Sequence, residues 1–255
     1  RLKLLSFTGS PVVGWDLKAR CGKKKVVLEL GGNACVIVDE SADIEAAAKL
    51  TAIGAFLYSG QICISTQRIF AHAKVFDAFK ELLIAEVNKL KVGDPRDEAV
   101  TVGPLIQPIH LQRINDWVNE AIEEGAVVLT GGEVISEGNG LYAPTLLTNA
   151  NKKSKVCSLE AFGPVAVLEK FDSFEEAIAL SNNSTFGLQA GVFTNHFDHV
   201  KMAHEDLEVG GVMINNVPGF RIDSMPYGGV KDSGLGREGI KYAMEEMTEP
   251  RLLVY

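Results

Sequence analysis

Residues 26–39 read "VVLELGGNACVIVD". Two apolar runs, 26–32 and 34–39, form two strands broken by Gly31-Gly32. Glu29 is out of pattern in the first of them. The flanks repeat an alternation of strand and helix. Upstream, "KLLSF" (3–7) is a short strand turned by Thr8-Gly9-Ser10-Pro11. Ser10 suits a helix N-cap and Pro11 the first helical position, so "VVGWDLKARC" is the following helix. Downstream, residues 42–57 have helical composition with few charges after Glu45, which predicts a buried helix.

The alternation continues to the end of the chain. "QRIFAHA" (67–73), "AVVLT" (126–130), "PVAVLEKF" (164–171), "LQAGVFT" (188–194) and "GGVMIN" (210–215) are predicted strands. Residues 74–90 place Val75, Phe76, Phe79, Leu82, Leu83, Val87 and Leu90 on one helical face. Residues 109–124 do the same with Ile109, Ile114, Trp117, Val118 and Ile122. Short helices are expected at 174–182 and 196–206. Strands that alternate with helices predict an α/β fold with a mostly parallel twisted sheet flanked by helices. Gly- and Pro-rich stretches at 131–145 and 216–236 are predicted as long loops, which in compact domains are often functional.

Composition narrows the function. Of 255 residues, 46% are hydrophobic and 23% charged, a globular balance with a sizeable core. The net charge of -8 disfavours binding to nucleic acid, whose phosphates need Lys and Arg. There is no unbroken apolar stretch of about 18 residues, so no membrane span is predicted. The opening "RLKLLSFTGS" turns polar too quickly for a signal peptide. Cys21, Cys35, Cys63 and Cys157 form no CxxC pair and have no matching His spacing, so no metal site is predicted. They read as reduced, cytoplasmic thiols.

The chemistry-bearing candidates have two readings each. Cys63, in "YSGQICIST" (58–66), ends a nearly uncharged run. A free cysteine there is a small packing hydrophobe or a nucleophile. Glu29 is a water-facing residue of an edge strand, or a partly desolvated carboxylate whose raised pKa makes it a base. The adjacent glycines permit close approach of a ligand to the backbone. "LEAFGPV" (159–165) is a turn with one exposed acid, Glu160, or part of a site. "PYGGVKDSGLGREG" (226–239) is glycine-rich, but it lacks the Lys-Ser/Thr ending of a P-loop and no strand leads into it as a dinucleotide fingerprint requires.

Taken in order, "SFTGS", "LELGGNA", "GQIC", "LEAFGPV", "FGLQAGVFT", "GGVMINN" and "PYGGVKDSGLGREG" resemble the aldehyde dehydrogenase superfamily. The resemblance runs from about residue 5 to the C-terminus. It implies that Cys63 attacks an aldehyde carbonyl, with its backbone N–H as one oxyanion donor. It implies that Glu29 activates the water that hydrolyses the resulting thioester. NAD or NADP would be the cofactor. Glu160 would bind the nicotinamide ribose, Phe162 would pack near the nicotinamide, and Gly31 would lie beside it. Gly9 and Ser10 would sit near the pyrophosphate, where a helix N-terminus favours anions. Phe220 and Arg221, in "NVPGFRIDSM" (216–225), would line the aldehyde entrance; Arg221 is either a surface or structural salt-bridge residue, the more common case, or a group that steers an anionic or hydroxylated aldehyde. The remaining three cysteines match no catalytic position.

Members of that superfamily are roughly double this length, and this chain has no initiator methionine. The resemblance therefore implies a C-terminal half. Residues 1–31 would be the end of the NAD(P)-binding domain, 32–240 the catalytic domain, and 241–255 a segment whose "RLLVY" forms an oligomerisation strand. The second oxyanion donor, an asparagine in the family, would lie upstream. A homodimer or homotetramer would be the assembly. Two alternatives stand beside the hydrolytic enzyme. One is an acylating dehydrogenase that passes its acyl group to coenzyme A or phosphate, disfavoured by Glu29. The other is a truncated, non-catalytic structural module.

Overall fold

The computed structural model describes residues 2–255. The chain opens with β1 (Leu4–Thr8), helix α1 (Pro11–Arg20) and β2 (Lys25–Glu29). Pro11 begins α1 as predicted, though the Ser10 hydroxyl makes no capping bond. Next come β3 (Ala34–Val38), α2 (Ile44–Phe56), β4 (Thr66–His72) and α3 (Phe76–Val87). The Asp43 side chain caps α2, accepting from the Ala46 N–H at 3.1 Å. The small residues Ala47, Ala48, Thr51, Ala52, Gly54 and Ala55 let one face of α2 pack buried against the sheet and α3, while Glu45, Ala46, Lys49 and Ile53 are exposed, so the helix is buried on one side only.

The second half holds α4 (Pro108–Glu123), β5 (Val127–Thr130), β6 (Val134–Ser136), β7 (Leu141–Tyr142), β8 (Thr145–Thr148), the single turn α5 (Lys155–Ser158) and β9 (Val165–Phe171). It ends with α6 (Phe174–Asn182), β10 (Phe186–Gly187), β11 (Gln189–Phe193), α7 (Phe197–Asp206), β12 (Gly211–Ile214), β13 (Val230–Lys231), β14 (Gly234–Leu235) and α8 (Ile240–Met247).

Seven strands form one sheet in the order β12-β11-β3-β4-β9-β8-β5, parallel except for β5 against β8. A second sheet, β1-β2-β14, pairs β1 with β2 in parallel and β14 with β2 antiparallel. The predicted mostly parallel α/β fold is therefore correct. β3 is buried along its whole length, which explains its unbroken Ala-Cys-Val-Ile-Val sequence.

Three expectations need correction. Ile109 and Ile122 do not face the core: Ile109 is 68% exposed, and α4 buries Leu111, Ile114, Val118 and Ala121 instead. The stretch 131–145 is not one loop but carries the β6–β7 ladder. The stretch 216–236 likewise contains β13 and β14, which pair with β10 and β2. Arg251–Tyr255 is exposed and pairs with no strand of this chain.

The connection from β2 to β3 positions the site. β2 ends at Glu29 in the small sheet, and β3 begins at Ala34 in the large one. Gly31-Gly32 thus bridges the C-terminal edge of one sheet and the N-terminal edge of the other. The segments that enter β4, β9 and β11 meet at that same edge, with Cys63, Glu160 and Leu188 respectively.

Candidate active site

Cys63 follows a strained turn. After α2, Tyr58, Ser59 and Gly60 take left-handed φ values of 53°, 59° and 68°. Two non-glycine residues in that region cost energy that surrounding bonds must offset. The Ser59 hydroxyl donates to the Gly103 carbonyl at 2.8 Å, and Gln61 ties the loop to Pro104 and Ile106 at 3.2 and 2.9 Å. Gly60 is required because a Cβ there would lie 2.1 Å from the Gly163 carbonyl oxygen. The turn delivers the half-buried Cys63 thiol to an apolar cluster of Ile62, Ile64, Leu188 and Tyr227. Its Sγ lies 3.1 Å from the Tyr227 hydroxyl. Burial pushes the thiol pKa up. The Tyr227 hydrogen bond opposes this, while the charges of Glu160 and Glu29 add to it. The resting group is therefore a thiol that needs help to ionise.

Glu29 does not face water. Its residue is 4% exposed, and among the described residues neither carboxylate oxygen has a hydrogen-bond partner. The backbone around it is fixed on two sides: the Gly9 N–H donates to the Glu29 carbonyl at 3.0 Å, and the Leu30 N–H to the Ser233 carbonyl at 2.9 Å. The carboxylate lies over Gly228, where a Cβ would come within 2.8 Å of Oε1. Burial, aided by the charge of Glu238 and opposed by Arg221 and Arg237, raises its pKa from 4.5 to about 8. A buried, unpartnered carboxylate with that pKa is a competent base near neutral pH.

Glu160 is half-buried rather than an exposed turn acid. Its Oε1 accepts the Gly32 N–H at 2.8 Å, and a Cβ on Gly31 would fall 2.5 Å from Oε2. Burial pushes its pKa up, while the Gly32 bond and Arg113 pull it down. Glu160, Phe162, Gly32 and Ile62 line one cleft. Phe162 is exposed enough to meet a ligand and holds a left-handed φ of 45°. Gly9 touches the site through the Glu29 carbonyl, and Ser10 stands beside it at the N-terminus of α1.

Phe220 and Arg221 lie on the 216–225 loop, which Gln189 holds by donating to the Pro218 and Phe220 carbonyls. Arg221 pairs with Glu238 at 2.8 Å, and its guanidinium stacks 4.0 Å from the centre of the Tyr227 ring. Phe220 is partly exposed and makes no side-chain hydrogen bond.

The sequence reading gave no role to several residues that build the site. Buried Gln67 donates to the Val156 and Leu159 carbonyls at 2.7 Å each and accepts the Ala161 N–H at 2.8 Å. Asn33 donates to the Leu159 carbonyl at 2.9 Å. Together they fix the segment that carries Glu160. Buried Arg68 gives its N–H groups to the carbonyls of Asn33, Leu180 and Ser181. Polar residues inside a central strand, as in "TQRIF", were the available signal, because buried polar groups are almost always paired.

Residues 1–253 match the aldehyde dehydrogenase family. The chain belongs to this family. It is 45% identical over 253 residues to the 3-sulfolactaldehyde dehydrogenase of Priestia megaterium, covering 99% of this chain and 52% of that protein. Among solved structures, aldehyde dehydrogenase 21 from Physcomitrella patens, in complex with the reaction product succinate, is 45% identical. It superposes with a TM-score of 0.92 over 97% of this chain and 51% of that one. The glyceraldehyde-3-phosphate dehydrogenase GapN from Methanocaldococcus jannaschii, complexed with NADP, is 41% identical, with a TM-score of 0.92 over 96% of this chain and 53% of that one. The chain spans about half the length of the aldehyde dehydrogenases it matches. Its four cysteines are free, and no helix among the described residues is long and apolar enough to cross a membrane.

Proposed function

We propose that the protein carrying this chain oxidises a small aldehyde to a carboxylic acid with NAD or NADP. The observation that carries the reading is the Cys63 thiol together with the buried, unpartnered Glu29 carboxylate, at a pKa of about 8 and near enough for its charge to act on the thiol. Cys63, once ionised, attacks the aldehyde carbon and forms a thiohemiacetal whose oxyanion is met by the Cys63 N–H. The residues at hand fit the nicotinamide end of the cofactor. Gly31 leaves open the space a Cβ would fill against Glu160, whose carboxylate suits ribose hydroxyls, and Phe162 flanks the same cleft. The bound nicotinamide would supply a hydride acceptor. Glu29 then takes a proton from water, which attacks the thioester, releases the acid and returns Cys63.

We assign the substrate to aldehydes with an anionic or hydroxylated far end. Arg221 supports this: it is partly exposed and sits over the Tyr227 ring, next to the nucleophile. The sulfonate and carboxylate in the names of the related proteins agree with it. We also assign residues 1–31 to the end of the cofactor domain, 32–240 to the catalytic domain and 241–255 to an oligomer contact in a homodimer or homotetramer. The change of sheet at Gly31-Gly32 supports the first boundary, although β14 crosses it to pair with β2. Exposed Ile240, Met244 and Met247 on α8 support the last assignment.

The test is single-turnover kinetics on the full-length protein. Cys63→Ser is expected to abolish reduced-nicotinamide formation. Glu29→Gln is expected to keep the first turnover and stop release of acid. Aldehyde oxidation by Cys63→Ser at the wild-type rate overturns the reading.

A further inference from the structure

Tyr227 belongs to the glycine-rich stretch singled out in the sequence and has no part in the reaction as described so far. Its residue is 4% exposed. Two backbone bonds with Glu238 pin it: the Tyr227 N–H donates to the Glu238 carbonyl at 3.1 Å, and the Glu238 N–H donates back at 2.6 Å. Ile64 and Leu188 pack on the ring, and Arg221 covers a face. Among the described residues, the one hydrogen-bond partner of its hydroxyl is the Cys63 sulfur, at 3.1 Å. With Cys63 protonated, either atom can donate. Once the sulfur is a thiolate it has no hydrogen left, and the tyrosine O–H must be the donor.

We propose that Tyr227 is a positioning residue for the nucleophile: its buried hydroxyl holds the Cys63 sulfur in one orientation and stabilises the thiolate, while its ring seats Arg221. This rests on the reading of Cys63 as nucleophile. The other ionisable groups that face the sulfur are Glu160 and Glu29, and both oppose its ionisation. Tyr227 is thus the neighbouring side chain that favours the reactive form. The same ring carries Arg221, which is paired with Glu238. The anion-recognising end of the site and the nucleophile therefore share one rigid support.

The test compares wild type with Tyr227→Phe in the full-length protein. The variant keeps the ring, its packing and the seat of Arg221. Iodoacetamide labelling of the Cys63 peptide is followed by mass spectrometry against pH, with thermal melts to verify folding. Loss of a hydrogen bond to a charged group is expected to move the labelling midpoint up by about one pH unit. Turnover of an anionic aldehyde is expected to fall about tenfold in kcat with KM unchanged. A structural role alone would move neither the midpoint nor this split. An unchanged labelling profile in folded Tyr227→Phe overturns the proposal. If labelling of Cys63 abolishes activity in both proteins while the profiles coincide, only the role of Tyr227 fails. If Cys63→Ser remains active, the underlying reading of the nucleophile fails instead.

Discussion

Raising the pH should switch on the second half of the reaction by ionising Glu29. Its pKa of about 8 follows from burial without a partner. With that value, about a tenth of the carboxyl groups are ionised near pH 7 and about nine tenths near pH 9. A step that needs the carboxylate as base therefore accelerates about tenfold across that interval. Cys63 ionisation also favours the acylation step at high pH, so the two must be separated. The assay is decay of the acylated enzyme, formed by a short pulse of substrate at one pH, jumped to a second pH, and followed by mass spectrometry of the Cys63 peptide. Wild type should give a sigmoidal rate centred near pH 8. Glu29→Gln should decay slowly, with no inflection there. A wild-type rate that is flat from about pH 6.5 to 9 would refute the reasoning, because it would mean that Glu29 is not the group that limits deacylation.

The same carboxylate should cost stability. Its folded pKa of about 8 lies above the ordinary 4.5, so the folded state binds the proton more tightly than the unfolded chain. Its stabilising contribution is complete below about pH 4.5 and is lost as the pH rises to about 8, by up to about 5 kcal/mol. Glu29→Gln should melt progressively higher than wild type as the pH rises through this window; equal melting curves at about pH 9 would contradict the burial. Gly32→Ala places a Cβ 2.0 Å from the Cys63 carbonyl oxygen, a backbone atom that cannot rotate away. Denaturation should show a loss of about 1–3 kcal/mol, and labelling a displaced Cys63. Gln67→Ala removes two donors and an acceptor from the segment that carries Glu160. It should cost about 2–4 kcal/mol and weaken binding of the nicotinamide cofactor in calorimetry, and unchanged affinity would remove Glu160 from the cofactor site.

Most of the longer strands and helices were legible in the sequence because they depend on local periodicity and punctuation, whereas the short strands β6, β7, β8, β13 and β14, in or beside the Gly- and Pro-rich stretches, were not. Gly31-Gly32 between two apolar runs, Pro11 after Ser10, and the small residues of α2 each state their structure within a few positions. The positions of Cys63 and Glu29 were legible too, as the thiol and the carboxylate out of place in apolar runs. Helix α4 marks the limit. Ile109 and Leu111 are both apolar, and only the placement of the sheet decided that Leu111 turns inward. The proton states of the site were equally out of reach. Glu29 is a buried carboxylate with a raised pKa rather than a surface acid because β14 closes over β2 and Gly228 covers its carboxylate. Tyr227 meets Cys63 across 164 positions of chain, and Gln67 reaches Leu159 across 92. By itself, the sequence determined most of the longer elements and which reactive groups the chain carries. Only the tertiary structure decided which of those groups are desolvated and which share a hydrogen bond, because burial is set by atoms that lie far away along the chain.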